Sequence, residues 1–172
     1  CNRCELSGRN LAGASFAGAN FSGSTLVGSN LRGAQLLGSN FALSDFSRAN
    51  LSGSEISGTS FVDAIFISAN LSGLEATGSN FTRANLTDAD LRSSELSGVN
   101  LNTANLTNAD LRSSELYGVT LSNVTARNAN FTSAEITAAN MTNGDFTNAS
   151  FRDADLTSAR LRGGIFVRAD FS

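Results

Sequence analysis

Six carboxylates recur at an interval of twenty residues: Glu55, Glu75, Glu95, Glu115, Glu135 and Asp155. The chain has no His, no Lys and a single Tyr, so proton-transfer chemistry would fall to carboxylates such as these. The same row can also serve as a partner-binding stripe. A second group able to do chemistry opens the chain, Cys1-Asn2-Arg3-Cys4. A structural zinc site wants four Cys or His ligands and only two are present, so no metal and no cofactor are expected. A thioredoxin-like use of Cys-x-x-Cys needs a strand-helix-strand context, which nothing around it supports. A local structural role fits better: a disulfide between Cys1 and Cys4 in an oxidising compartment, or two reduced thiols otherwise. A mature lipoprotein would also begin with Cys. Because the chain starts at Cys1 and not at Met, it reads as a processed or excised piece of something longer.

What positions these groups is a period of five. Taking every fifth residue from Cys1 through Leu6, Leu11, Phe16 and onward to Phe171 collects all 12 Phe of the chain and 17 Leu in one column. A helix would place its apolar residues at a period of 3.6 and a strand at 2.0, so neither element accounts for this. Two residues earlier runs a second column, mostly Ala and Ser, from Cys4 and Ala14 to Ala169. Each repeat thus has one large and one small inward residue and three polar ones facing out. A chain that corners every five residues, with the large residue in the middle of a short face, satisfies this pattern. The register never slips, so residues 1–172 are expected to form a single domain with no internal linker.

A longer period sets the number of sides. LTDADLRSSELSGV at 86–99 returns as LTNADLRSSELYGV at 106–119, an offset of 20. Four faces of five residues make one coil, which gives about eight to nine coils and a rod of roughly 41 Å at the ~4.8 Å spacing of paired strands. Sorted by twenty, like residues stack: Phe21, Phe41, Phe61 and Phe81 on one side, Phe131, Phe151 and Phe171 on another. Ala76 and Ala126 interrupt the large column, and each follows an oversized inward neighbour, Leu74 and Val124, which reads as an exchange of volume.

The motifs AGANFSG (17–23), RANLTDADLRS (83–93) and TAANMTN (137–143) resemble those of the pentapeptide-repeat protein family, in phase along the whole chain. The resemblance implies an all-β fold, a right-handed quadrilateral parallel β-helix. Some members of that family protect DNA gyrase by presenting an acidic, DNA-like rod, while cyanobacteria and plastids hold many others, which leaves cytoplasm and thylakoid lumen both open. The outward carboxylates then lie on a convex rod without a cleft, so no catalytic residue and no enzyme activity are expected.

Charge is distributed unevenly over the four faces, at net +3, −1, +1 and −6. The −6 face holds the six carboxylates and no Arg. Arg92 and Arg112, on the face before it, precede Glu95 and Glu115 by three residues, which suggests pairing around the corner. Leu43, Val62, Ile65 and Ile67 break the outward polar rule in neighbouring coils, as do Ile165 and Val167 later, and such a cluster can mark an interface. The expected function is a non-catalytic rigid scaffold or protein-protein interaction module, with the acidic stripe and the apolar patch as partner surfaces. A DNA-mimicking modulator of gyrase is the alternative. The net charge of −3 argues against direct nucleic-acid binding, and no apolar run is long enough for a transmembrane segment. Phe171 at the last coil implies either missing caps or end-to-end association.

Overall fold

The structure, a computed structural model, describes all 172 residues and contains no helix. Every fifth residue from Glu5 to Ser150 forms a parallel bridge with the residue twenty positions on. The chain is therefore a right-handed four-sided β-helix with one short strand per face. We number the faces in chain order by their bridging columns: face 1 through Glu5, Thr25 and Asp45; face 2 through Asn10, Asn30 and Asn50; face 3 through Ser15, Gln35 and Glu55; face 4 through Asn20, Asn40 and Ser60.

Residues 81–85 show how the backbone closes. The N–H groups of Phe81 and Arg83 donate to the carbonyls of Asn100 (2.7 Å) and Asn102 (3.1 Å) in the following coil. That of Asn85 donates back to Ala64 (2.9 Å), and that of Ala84 closes the turn on Phe81 (2.9 Å). Only the Thr82 N–H lacks a backbone acceptor, and the Asn80 side-chain oxygen takes it at 3.0 Å. An unpaired backbone donor is costly when water cannot reach it, and an Asx turn of this kind settles it locally. The recurrent Asn or Asp before the large residue is thus a turn cap.

The large residue sits at the end of its strand and not at the middle of the face as the repeat alone suggested. The outward bridging residue occupies the middle, and the corner follows the large residue at once. Each corner closes as a type II turn, with positive φ at its third position. All 34 such positions have φ between 53° and 71°, yet only 14 are Gly. Leu43 (φ 61°) and Thr103 (φ 58°) are among those whose side chains suit this conformation badly.

Inside, the expected ladders form. Phe21, Phe41, Phe61 and Phe81 stack with centroids 4.8–5.8 Å apart, and Phe131, Phe151 and Phe171 at 4.9 and 5.0 Å. Face 1 adds two shorter stacks, Phe46 on Phe66 and Phe146 on Phe166, which meet these ladders edge-on or tilted. Each buried ring or Leu contributes about 1.5–3 kcal/mol. Where Phe gives way to Leu above Phe81, an apolar void of about 10 Å³ remains, room for one water at most and with no polar wall to hold it. Leu74, Ala76, Val124 and Ala126 are all buried, as an exchange of volume requires. In the coil after Val124 the inward position is Gly144, where a β-carbon would lie 2.5 Å from the Phe146 ring. Ser at inward positions bonds the neighbouring backbone, as Ser54 does to the Leu31 carbonyl (2.8 Å), and no buried side-chain polar atom is left unpaired.

The corner geometry generates a stability prediction. Leu43 is 67% exposed, so Gly at that position loses almost no packing and relieves the positive φ. Leu43→Gly is expected to stabilise the rod by about 0.5–1 kcal/mol, after Gly's greater freedom in the unfolded chain is set against the relief. Chemical denaturation checks this, and a lower midpoint for Leu43→Gly would contradict the turn assignment.

Candidate functional site

Face 3 departs furthest from the pattern common on the other three faces. Its bridging column stacks Glu55, Glu75, Glu95, Glu115, Glu135 and Asp155 directly on one another. Elsewhere the bridging residue is commonly Asn or Asp and caps the N–H two positions on: Asn70 caps Ser72, Asn80 caps Thr82, and Asp145 caps Thr147. None of the five Glu on face 3 makes that bond, which leaves the N–H groups of Ser57, Thr77, Ser97, Tyr117 and Thr137 to solvent. Only Asp155, the short member of the row, caps its turn, at Thr157 (2.8 Å).

The row is also unneutralised. Arg92 and Arg112 do not reach Glu95 and Glu115 around the corner as their spacing suggested. Arg92 donates through two nitrogens to Asp90 (2.8 and 2.7 Å), and Arg112 binds Asp110 in the same way. A partner two residues back on the same outward surface is nearer than one across a turn. The other ion pairs are Arg92 with Asp110 of the next coil (3.7 Å), Arg83 with Asp63, Arg127 with Asp145 and a long Arg152–Asp170 contact. No ion pair includes a carboxylate of the row; Glu95 accepts only a hydrogen bond from the Thr77 hydroxyl (2.9 Å).

These contacts shift the acids that make them. Hydrogen bonds from Arg83 hold Asp63 below the ordinary carboxylate range, and those from Arg92 do the same for Asp90. Asp145 is lowered first by the Thr147 hydroxyl and then by Arg127, and Asp155 by Thr157.

One residue of this face carried no signal in the repeat analysis. Tyr117 is the single aromatic outside the inward column, and it lies 62% exposed beside Glu115. Its type alone could have flagged it, since exposed Tyr is enriched in binding hot spots. The largest concavity, about 590 Å³, lies along the corner between faces 2 and 3 and is lined only by Arg, Ser and Gly, including Arg32, Ser52, Ser72 and Arg92. Of the apolar patch, Leu43, Ile65 and Ile67 are exposed and Val62 is half-buried. Leu43 and Val62 lie at the corner of faces 4 and 1, Ile65 in the middle of face 1 and Ile67 at the corner that follows, so the patch spans face 1, on the side of the rod away from face 3. The sulfurs of Cys1 and Cys4 are in bonding contact, with Cα atoms 5.9 Å apart.

A repeat of five with a capped turn, four sides and an inward Phe/Leu ladder defines the class. The family model for pentapeptide repeats matches the chain in eight copies, over residues 1–43, 44–83, 84–123, 114–153 and 134–172. The chain belongs to the pentapeptide-repeat family. Two trypsin-treated forms of QnrB1, a plasmid-mediated fluoroquinolone resistance protein, are similar to it with TM-scores of 0.68 and 0.59. They are 17% and 20% identical, over 99% and 98% of this chain and 91% of each of theirs. HetL, a pentapeptide repeat protein involved in heterocyst differentiation regulation from the cyanobacterium Nostoc sp. strain PCC 7120, is 24% identical over 95% of this chain and 85% of its own, with a TM-score of 0.44. At these identities the likeness is one of fold. No curated protein matches the chain.

The uncapped, unpaired row gives one prediction and the hydrogen-bonded acids a second. Replacing Glu75, Glu95, Glu115 and Glu135 by Gln removes like-charge repulsion, while Asn removes it and also reaches the free N–H groups. Thermal melts at low salt should therefore rank Asn above Gln and Gln above the native protein, with the Gln gain shrinking as salt is added. A native protein that melts highest would show that the row stabilises the rod. The second concerns pH. Asp63, Asp90, Asp145 and Asp155 have folded-state values below their unfolded ones, so their stabilisation is present above an unfolded value of about 3.9 and is lost as pH falls through the lower folded values. With no His to titrate, the melting temperature should be nearly constant from about pH 8 to about pH 5 and drop below about pH 4. A transition between pH 5 and 8 would contradict this.

Proposed function

We propose that the chain is a non-catalytic, rigid interaction rod whose face 3 docks a basic surface of a protein partner. One observation carries the reading: the side chains of the five Glu of face 3 neither cap their turns nor enter an ion pair. They give up the turn cap, pair with no Arg and stack like charge on like charge. Tyr117 supplies an amphipathic anchor in the same surface. A straight row at ~4.8 Å spacing on a stiff scaffold presents its charge without ordering cost at the moment of binding.

The test is affinity capture from native lysate of the source cells on immobilised rod. The native protein and the Glu75→Gln, Glu95→Gln, Glu115→Gln, Glu135→Gln variant are compared at equal loading, with Tyr117→Ala alongside. Partners held by the native rod should be lost from the Gln variant and weakened by Tyr117→Ala. Identical capture by all three would remove face 3 from the account.

The unneutralised row also favours a second reading, a DNA-mimicking modulator of DNA gyrase, since the same fold carries the fluoroquinolone resistance protein QnrB1. Against it stands the +3 charge of face 4, which a DNA mimic would not be expected to carry. This reading requires the native rod to relieve quinolone inhibition of gyrase and the Gln variant to fail. Supercoiling and cleavage left unchanged by the native rod would eliminate it.

A further inference from the structure

Nine large apolar side chains remain exposed, and four of them share two columns, one in the middle of face 1 and one at the corner that ends it: Ile65 and Ile67, then Ile165 and Val167. The bridges Ile65–Asn85, Asn85–Asn105, Thr125–Asp145 and Asp145–Ile165 keep the column straight along the face. Two apolar stations therefore lie five coils apart, roughly 24 Å at ~4.8 Å per coil, on one flat side of the rod. Between and around them the face carries Asp45, Arg48, Asp88, Arg127, Asp145 and Arg168, which balance to zero. Face 3, at −6, would repel a copy of itself; face 1 would not.

We propose that face 1 is a contact surface between two copies of this chain, packed face to face and antiparallel. Ile65 and Ile67 of one copy then meet Ile165 and Val167 of the other. A two-fold axis lying in the contact plane along the strand direction, between the coils of Asn105 and Thr125, does this in one operation. It keeps each column opposite itself and sends the coil of Ile65 onto the coil of Ile165, so both apolar stations are covered at once, as an isologous contact requires.

The charges select this arrangement over the parallel one. In the antiparallel packing Asp145 faces Asn85 and Arg127 faces Thr107, and no charge between the stations meets its like. Parallel packing sets each coil on its own copy and brings Asp145 against Asp145, a direct like-charge contact that costs stability. The covered strip is six coils long and one strand wide, well below the ~800 Å² per partner of a stable complex, so the association is weak, in the high-micromolar range. Faces 1 and 3 lie on opposite sides of the four-sided coil. The dimer accordingly displays two acidic stripes outward and makes the rod bivalent, although the contact itself does not depend on what face 3 binds.

Sedimentation velocity from about 5 µM to about 1 mM should show the mass rising from 17.8 kDa toward twice that value. Ile65→Ser should raise the dissociation constant at least about tenfold, and Ile165→Ser should match it, with circular dichroism and melting unchanged because both side chains are outward. Geometry is read in a Cys1→Ser, Cys4→Ser background, mixing an Ile65→Cys chain with an Ile165→Cys chain under mild oxidation. A covalent dimer in the mixture, and none from either chain alone, is the expected result. A monomer throughout the concentration range overturns the proposal, and so does a cross-link formed by the Ile65→Cys chain alone.

Discussion

The structure depends on where five backbone N–H groups go in each repeat. Three reach neighbouring coils, one closes the turn, and one has no backbone acceptor. The Asn or Asp before the large residue takes that last donor, as Asn80 does for Thr82 and Asn105 for Thr107. With it the chain can corner every five residues and hold a positive φ at each corner while the exposed donor is satisfied wherever Asn or Asp stands at the bridging position. Everything else is arranged on this frame. The inward columns stack into ladders because the coils are in register, and they are in register because the bridges repeat at twenty.

That frame also separates what the fold needs from what it merely carries. A side chain at the bridging position that caps its turn, or an Asp that pairs with Arg92 or Arg112, is accounted for by folding. The Glu column of face 3 is not, and its neighbour Tyr117 is not. The cost of that column is a missing cap at five turns of face 3 and a row of like charges. Face 1 gives the converse case: Ile65 and Ile165 replace caps with exposed apolar side chains in one column, on a face whose net charge is only −1, the surface proposed to meet a copy of the chain.

The fold was largely legible in the sequence because the core is one-dimensional: a single residue type class at a fixed interval determines period, number of sides and stacking. The Phe21–Phe81 and Phe131–Phe171 ladders could be listed from residue numbers alone, and the Leu74–Ala76 and Val124–Ala126 pairs are as buried as their volumes implied. What stayed hidden was conformation at the corners. Leu43, Thr103 and Ala138 occupy positions of positive φ that Gly marks in only some repeats, so residue type conceals the turn. Arg92 pairs with Asp90 and not with Glu95 because the turn that Asp90 caps at the Arg92 N–H already brings the two side chains together on the face 2 side of the corner. The cap was invisible because Asn facing outward looks like any solvated residue until its N–H partner is seen. Without the cap, the oddity of Glu at the same position on face 3 could not be recognised either.

The central claim, that the bridging Asn or Asp satisfies the fifth donor and that face 3 gives this up, is tested most directly by native-state amide hydrogen exchange read residue by residue. Thr82, Thr87, Asn102, Thr107 and Thr132, all capped, should be protected well above intrinsic rates. Thr77, Ser97, Tyr117 and Thr137 should exchange orders of magnitude faster although they lie in the same coils. Equal protection in the two groups would contradict the account.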